Sequence, residues 1–276
     1  MTIAIGTRFT GGVIVCADSK VVASDGATTD ESKVSLSLTV TKRIFGIADA
    51  AEDGNAAKML AGDIMNAVCD SHNPYKLAPD VTSVMASWYN SYGAAQVPHL
   101  QFILGSVVIG HKDGNVYLCE PPATVLNTIG PIAIGRGARA VEPLLSILTG
   151  QGGRPLALKP TLLRLAYLMY KAKKDEGSAC GGNTHAIVIS AKGGFAFIEH
   201  EEMKRAEEIA VEVDALLRDA NQNVLGAEPP DVQRELINNF SQKYLALAER
   251  GEKLEFPSLG LLREPLWRTH NYVGKK

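Results

Sequence analysis

Apolar and polar positions alternate with a period of two at the start of the chain. Ile3 and Ile5 are spaced by Ala4 and Gly6, Gly11-Gly12 punctuates, and Val13, Ile14 and Val15 run into Cys16-Ala17-Asp18. This predicts two short strands joined by a glycine turn. The period of two returns after Lys33, where Val34, Leu36, Leu38 and Val40 alternate with Ser35, Ser37, Thr39 and Thr41. Lys42-Arg43 interrupts it before the apolar run 44–48. The period then changes to 3.6. Leu60, Ile64 and Val68 predict a helix over 52–71, with Asp53 as N-cap and His72-Asn73-Pro74 as its end. A second helix, starting near Pro79-Asp80, carries Val81, Val84, Met85, Trp88 and Tyr92 on one face. An aromatic stripe at that spacing reads as core rather than as a ligand site.

Strand patterns resume at 100–109 and 115–119, a hairpin around Lys112-Asp113-Gly114 that Pro121-Pro122 ends. A strand over 125–129 leads to Pro131-Ile132-Ala133-Ile134 and the triplet Gly135-Arg136-Gly137. Residues 138–149 read as a helix with Val141, Leu144, Leu145 and Leu148 on one face. Another begins at Pro160, a favoured first position, and buries Leu162, Leu165, Ala166 and Met169. A last hairpin joins 184–190 to 195–198 through Lys192-Gly193-Gly194. Beyond it lie two amphipathic helices, separated by Ala227-Glu228-Pro229-Pro230. The first spans 201–220 and carries Ile209, Val213, Leu216 and Leu217; the second carries Val232, Leu236, Ile237, Phe240, Tyr244 and Leu247 and runs to about residue 250. A tail follows with Phe256, Leu261, Leu262, Leu266 and Trp267. These apolar groups need a partner, either the chain's own core or a neighbouring subunit. The neighbour is favoured if helices of the core already cover its sheets.

At 276 residues, with 46% apolar and 21% charged positions, the composition is that of a globular protein. A formal net charge of −2 gives no reason to expect nucleic acid or an anionic membrane as partner. No apolar run approaches the roughly 18 residues that span a bilayer. The N-terminus lacks a basic flank, an apolar core and a small-residue cleavage site, so no signal peptide is expected. Cys16, Cys69, Cys119 and Cys180 are widely spaced, without a CxxC or Cys/His cluster, so they read as reduced thiols in a cytoplasm and not as a zinc site. No metal and no cofactor are expected. Gly135-x-Gly137 is not a nucleotide fingerprint, because the third Gly and the following strand are missing.

Thr2 follows the initiator Met, and its small side chain permits removal of Met1. The product would carry a hydroxyl and a free α-amine on one residue, a self-contained nucleophile and base. An α-amine of pKa roughly 7.7–8.0 has a sizeable neutral fraction at working pH. Each element has an ordinary reading: Thr2 as an inert second residue, Asp18 as a turn residue, Lys33 as a solvated charge. Together they form a pattern: a strand opening on Thr, a Gly turn, a second strand ending in Ala17-Asp18-Ser19-Lys20, and a Lys returning in Ser32-Lys33-Val34.

This pattern resembles the β-type subunits of the proteasome and their bacterial relatives, in the N-terminal nucleophile hydrolase superfamily. The resemblance covers about residues 2–200. It implies that Thr2 attacks while Asp18 and Lys33 tune and hold it. The spacing from Thr2 to Asp18 fits without a gap; that to Lys33 is one residue short, which suits a changed hairpin around Asp25-Gly26. The backbone N–H that helps form the oxyanion hole falls on Asp49, where the family usually has Gly. An adjacent carboxylate would work against a developing oxyanion. The family's GSG triplet, whose Ser orients the Thr amine, is Gly135-Arg136-Gly137 here. Arg136 either places a fixed charge near the site or points to solvent. The family's Asp-x-x-Ser-Gly-Gly places the Asp on Asp175; its Ser falls on Cys180 if the Gly pair is aligned, or on Ser178 if the Asp is.

The expected fold is α+β: a four-layer αββα sandwich of two antiparallel sheets over residues 1–200, with a helical C-terminal extension over 201–276. The expected function is that of a threonine-type peptidase or amide hydrolase acting through an acyl-enzyme. Its substrate would be a peptide or unfolded protein, in a cytoplasmic homo-oligomeric ring; an ATPase partner cannot be read from the sequence. Two alternatives stand: a non-catalytic assembly subunit, which an unprocessed Met1 would indicate, and a peptide ligase in which an amine intercepts the same acyl-enzyme.

Overall fold

The computed structural model describes residues 2–22, 27–38, 43–51, 54–70, 77–92, 100–110, 114–120, 122–221 and 230–262. Strands β1 (Ile3–Phe9) and β2 (Gly12–Asp18) pair antiparallel about Gly11, whose φ of +97° suits a residue without Cβ. β10 (Ile132–Gly135) joins β1, and β11 (Thr184–Ser190) followed by β12 (Phe195–Ile198) joins β2, giving the order β10-β1-β2-β11-β12. A second five-stranded sheet is a meander in chain order: β5 (Val34–Leu38), β6 (Arg43–Ala51), β7 (Leu100–Val108), β8 (Gly114–Glu120) and β9 (Thr124–Thr128). A third sheet is the short antiparallel ribbon β3 (Lys20–Val22) and β4 (Thr28–Asp30).

Alternation along the strands sorts the core. Val13, Val15 and Ala17 of β2 meet Ile44, Ile103 and Val116 of the second sheet in one apolar cluster. The two sheets touch closely here: a Cβ on Gly6 would lie 2.4 Å from Ile103 Cγ2. The opposite face of the first sheet, with Ile3, Ile5, Ile14 and Cys16, packs against α4 (Leu158–Asp175) through Leu162, Leu165 and Met169. The opposite face of the second sheet, with Phe45, Ile47 and Phe102, packs against α1 (Gly54–Asp70) and α2 (Leu77–Tyr92) through Leu60, Ile64, Val81 and Met85. Trp88 and Tyr89 are part of that core, edge to face at 5.4 Å.

The expected four-layer sandwich of two antiparallel sheets needs correction. There are three antiparallel sheets and six α-helices among the described residues. Past Asp18 the chain stays tied to the segment before β11, Ser19 N–H to Asn183 O at 2.8 Å and Lys20 N–H to Gly181 O at 3.2 Å, while β3 pairs with β4 in a separate ribbon. The helix expected over 138–149 is also not one. α3 (Ala138–Val141) is a single turn, and residues 142–148 continue as a 3₁₀ helix. Pro143 has no N–H for an α-helical bond, and the backbone tightens around it. α4 begins at Leu158 rather than Pro160, which leaves Pro160 in the first turn, where its missing N–H costs nothing.

α5 (His200–Asp219) and α6 (Pro230–Lys253) follow. α5 lies on the chain's own core, with Met203 and Ala206 buried among α4 and first-sheet residues. The buried Asp214 ties it to α4 through Lys174 at 2.6 Å and Lys171 at 3.5 Å. α6 rests on α5 and leaves Val232, Ile237, Tyr244 and Leu245 exposed. The chain then returns to β12 in a 3₁₀ turn, Pro257–Leu261. Glu202, only 4% exposed, fastens that return. Its carboxylate accepts the N–H of Glu199 at 3.0 Å and that of Ser258 at 2.7 Å. The Asp53 cap, the helix end at His72-Asn73-Pro74, the turns at Asp25-Gly26 and Lys112-Asp113, the Lys42 interruption, the break at 227–229 and the tail with Leu266 and Trp267 lie outside the described residues, as does Met1.

Candidate active site

β1 and β2 run antiparallel in the middle of the first sheet, so the start of the first and the end of the second meet at the same end of the strands. Thr2 and Asp18 therefore become neighbours, 1% and 0% exposed. The Thr2 hydroxyl donates to Asp18 Oδ1. The same oxygen accepts the N–H of Ile3 at 3.2 Å, and Oδ2 accepts the N–H of Gly181 at 2.8 Å. Lys33 enters from the second sheet, immediately before β5. Its Nζ donates to Thr2 Oγ1 at 2.6 Å, to Asp18 Oδ1 at 3.0 Å and to the Lys20 carbonyl at 2.5 Å. All three donor directions of the ammonium are used. The side chain is 9% exposed, so the Lys33–Asp18 pair is largely removed from water, where charge pairs act most strongly.

The backbone of Thr2 is held as well. Its carbonyl accepts the N–H of Gly137 at 3.3 Å. Gly135 has φ +85°, and a Cβ there would lie 2.3 Å from that carbonyl. A Cβ on Gly137 would lie 2.5 Å from Cys180 Sγ. Both glycines of the triplet thus serve the close approach of the turn to Thr2. Arg136 between them is exposed.

Asp49 lies on β6, 9% exposed. Its backbone N–H donates to the Lys33 carbonyl at 3.1 Å, so the donor expected to face an oxyanion is engaged across the β5–β6 edge. Burial pushes its carboxyl up to about 7, against the pull of Lys33 and Lys58. Cys180 is buried beside the Thr2–Asp18–Lys33 cluster, and burial, with the nearby Asp18 charge, pushes its thiol up to about 12. Ser178 is exposed, and Asp175 is exposed at the end of α4, pairing with Lys171 at 3.4 Å. The structure therefore gathers Thr2, Asp18, Lys33, Asp49 and Cys180, and leaves Arg136, Asp175 and Ser178 at the surface.

Sequence reasoning missed the main-chain members: Lys20 O, which receives Lys33, and the N–H groups of Ile3 and Gly181, which clamp Asp18. It also missed Ser19, whose hydroxyl donates to Asp30 at 2.9 Å and accepts the Asn183 N–H at 2.7 Å. The Gly181-Gly182 pair was the available signal, since Gly182 needs φ +67°. Among the described residues, no group of three or more His, Cys, Asp or Glu is placed to hold a metal ion. No helix among them is long and apolar enough to cross a membrane.

The sequence matches no known family model and no curated protein. Solved structures do match. Anbu from Hyphomicrobium sp. strain MC1 superposes with a TM-score of 0.64 at 15% identity, covering 82% of this chain and 100% of that one. Anbu from Yersinia bercovieri, described as an ancestral β-subunit, gives 0.63 at 12% identity over 80% of this chain and 97% of that one. The helical assembly of the Anbu complex from Pseudomonas aeruginosa gives 0.61 at 14%, covering 83% and 98%.

The chain has the Anbu fold.

This corrects the likeness to proteasome β-type subunits and the N-terminal nucleophile hydrolases: the solved structures compared above are Anbu proteins, and this chain arranges its strands in three sheets among the described residues.

Proposed function

We propose that this chain is an amide hydrolase, a threonine-type peptidase, whose nucleophile is Thr2 after removal of Met1. The observation that carries the reading is the 2.6 Å contact of Lys33 Nζ with Thr2 Oγ1, with Asp18 joined to both. A fixed ammonium on the hydroxyl oxygen favours the alkoxide as the proton leaves, and it favours the neutral form of a nearby amine. In this scheme the Thr2 α-amine takes the Oγ proton and Oγ adds to the substrate carbonyl. The leaving amine receives the proton as the C–N bond breaks, which leaves an ester on Thr2. Water activated by the same amine then releases the acid. Asp18 balances the Lys33 charge. The Gly135–Gly137 turn supports the Thr2 backbone, with Cys180 packed against Gly137; Arg136, Asp175 and Ser178 lie at the surface.

The substrate class is a peptide or unfolded protein. A cytoplasmic homo-oligomer is the proposed working form, by analogy with the helical assembly of an Anbu protein. Residues 1–200 would form the hydrolase core and 201–276 a helical extension. One observation favours a second reading, a non-catalytic assembly subunit. The Asp49 N–H, which an oxyanion would need, is taken by the Lys33 carbonyl, and the same residue carries a buried carboxyl.

Intact-mass measurement separates the two. A β-lactone or epoxyketone should add its mass to protein lacking Met1, at Thr2, and not to Thr2→Ala. Retained Met1 with no adduct refutes the hydrolase.

A further inference from the structure

Beside the Thr2 cluster lies a cavity of about 320 Å³, at the small end of the roughly 300–1,000 Å³ of ligand pockets. One wall is Lys20 of β3 and another is Lys173 of α4; Thr28 and Thr29 of β4 face them, with the Gly181-Gly182 backbone between. Two of these wall residues also touch the cluster. The Lys20 carbonyl accepts Lys33 Nζ, and the Gly181 N–H donates to Asp18. The cavity is therefore one hydrogen bond removed from the residues that hold Thr2.

Its charges are unequally satisfied. Lys173 is neutralised by Glu207, whose two carboxylate oxygens both lie 2.9 Å from its Nζ. Asp30, also on the wall, accepts the Ser19 hydroxyl at 2.9 Å. Lys20 Nζ donates to the neutral carbonyl of Gly177 at 2.8 Å, and no carboxylate pairs with it among the described residues. An ammonium with two donors left and a neutral acceptor on the third gains most from an anion. Asp30 offsets the Lys20 charge as Glu207 offsets that of Lys173, so the pull on an anion is local to the Lys20 ammonium, which suits a carboxylate rather than a phosphate dianion. Thr28 and Thr29 add hydroxyl donors.

We propose that this cavity is a carboxylate-binding subsite. It takes the terminal or side-chain carboxylate of a peptide whose amide bond is presented to Thr2, and so deepens the hydrolase reading by naming an anionic recognition element. It rests on that reading only for the word substrate; the binding itself is independent of the nucleophile.

The experiment is a ligand-observed NMR titration of the full chain, and of Thr2→Ala, with three probes. N-acetyl-alanine carries a terminal carboxylate, N-acetyl-glutamic acid α-amide a side-chain carboxylate, and N-acetyl-alanine amide none. At least one acid should bind and the amide should not. Lys20→Gln should weaken the acid about tenfold or more, as expected for a charge-assisted hydrogen bond, and Lys20→Arg should retain it. Whichever acid binds more tightly names the source of the carboxylate. Thr2→Ala should bind like the parent, so loss of the hydrolase reading would leave this result standing. Equal binding of the amide, no binding of either acid, or an unchanged affinity in a folded Lys20→Gln protein overturns the proposal.

Discussion

Replacing Asp49 by Asn should change how stability depends on pH, by an amount the structure allows to be worked out. Asp49 is 9% exposed on β6, and burial raises its carboxyl from the ordinary 3.8 to about 7. Lys33 and Lys58 pull it down, and Asp18 adds to the rise. Between those two values the folded protein holds a proton that the unfolded chain has lost. Stability therefore falls as pH rises through this window and levels off above about 7. Each unit corresponds to about 1.4 kcal/mol, so the loss from pH 5 to pH 8 is about 3 kcal/mol. Asn has nearly the same shape and no charge to form. Relative to the parent, Asp49→Asn should gain about 3 kcal/mol over that interval, whatever its offset at pH 5. Urea unfolding of both proteins across the range measures this directly. A difference between the two that stays constant with pH would refute the reasoning, because it would mean that Asp49 ionises in the folded state as it does in water.

Lys33→Met should slow acylation of Thr2 by a β-lactone by about 10² or more, since it removes the charge on the nucleophile; an unchanged rate would disconnect Lys33 from the chemistry. Gly137→Ala places a methyl 2.5 Å from Cys180 Sγ and 2.9 Å from Ile3 Cβ, and should destabilise by about 1–3 kcal/mol in thermal unfolding. Adding Cys180→Ala should recover part of that loss, and a strictly additive double variant would show that the two do not meet.

Long elements with a clear period were legible in the sequence. The alternation at 34–38 and the 3.6 period at 60–68 report burial on one face, while β1 at 3–9, buried on both faces, shows as a run of apolar and small residues. The 138–149 segment failed because Val141, Leu144, Leu145 and Leu148 suit a 3₁₀ helix as well as an α-helix, and Pro143 decided between them. The β3–β4 ribbon was not legible: three-residue strands reading Lys-Val-Val and Thr-Thr-Asp carry no burial period. In the candidate site, Thr2, Asp18 and Lys33 were singled out by their side-chain chemistry, and the structure brings the three together. The clamps on them were not, because a backbone N–H such as that of Gly181 carries no residue signature. On α5, Glu202 and Asp214 read as solvated charges, and only tertiary contacts with Ser258, Lys171 and Lys174 bury them.

The Glu202 contact with Ser258 has a kinetic side. It joins residues 56 apart in the chain, and closing a flexible loop of that length costs about 3–4 kcal/mol. A backbone N–H on a carboxylate returns about 1.5–3 kcal/mol, less than the closure requires. The contact therefore cannot nucleate folding. We expect it to form after α5 has docked on α4 and α6 on α5, when most of the chain entropy is already spent. By the same reasoning it is among the first contacts to let go. Amide exchange at Ser258 should report this early opening, in which the return segment peels from β12 while both large sheets stay intact.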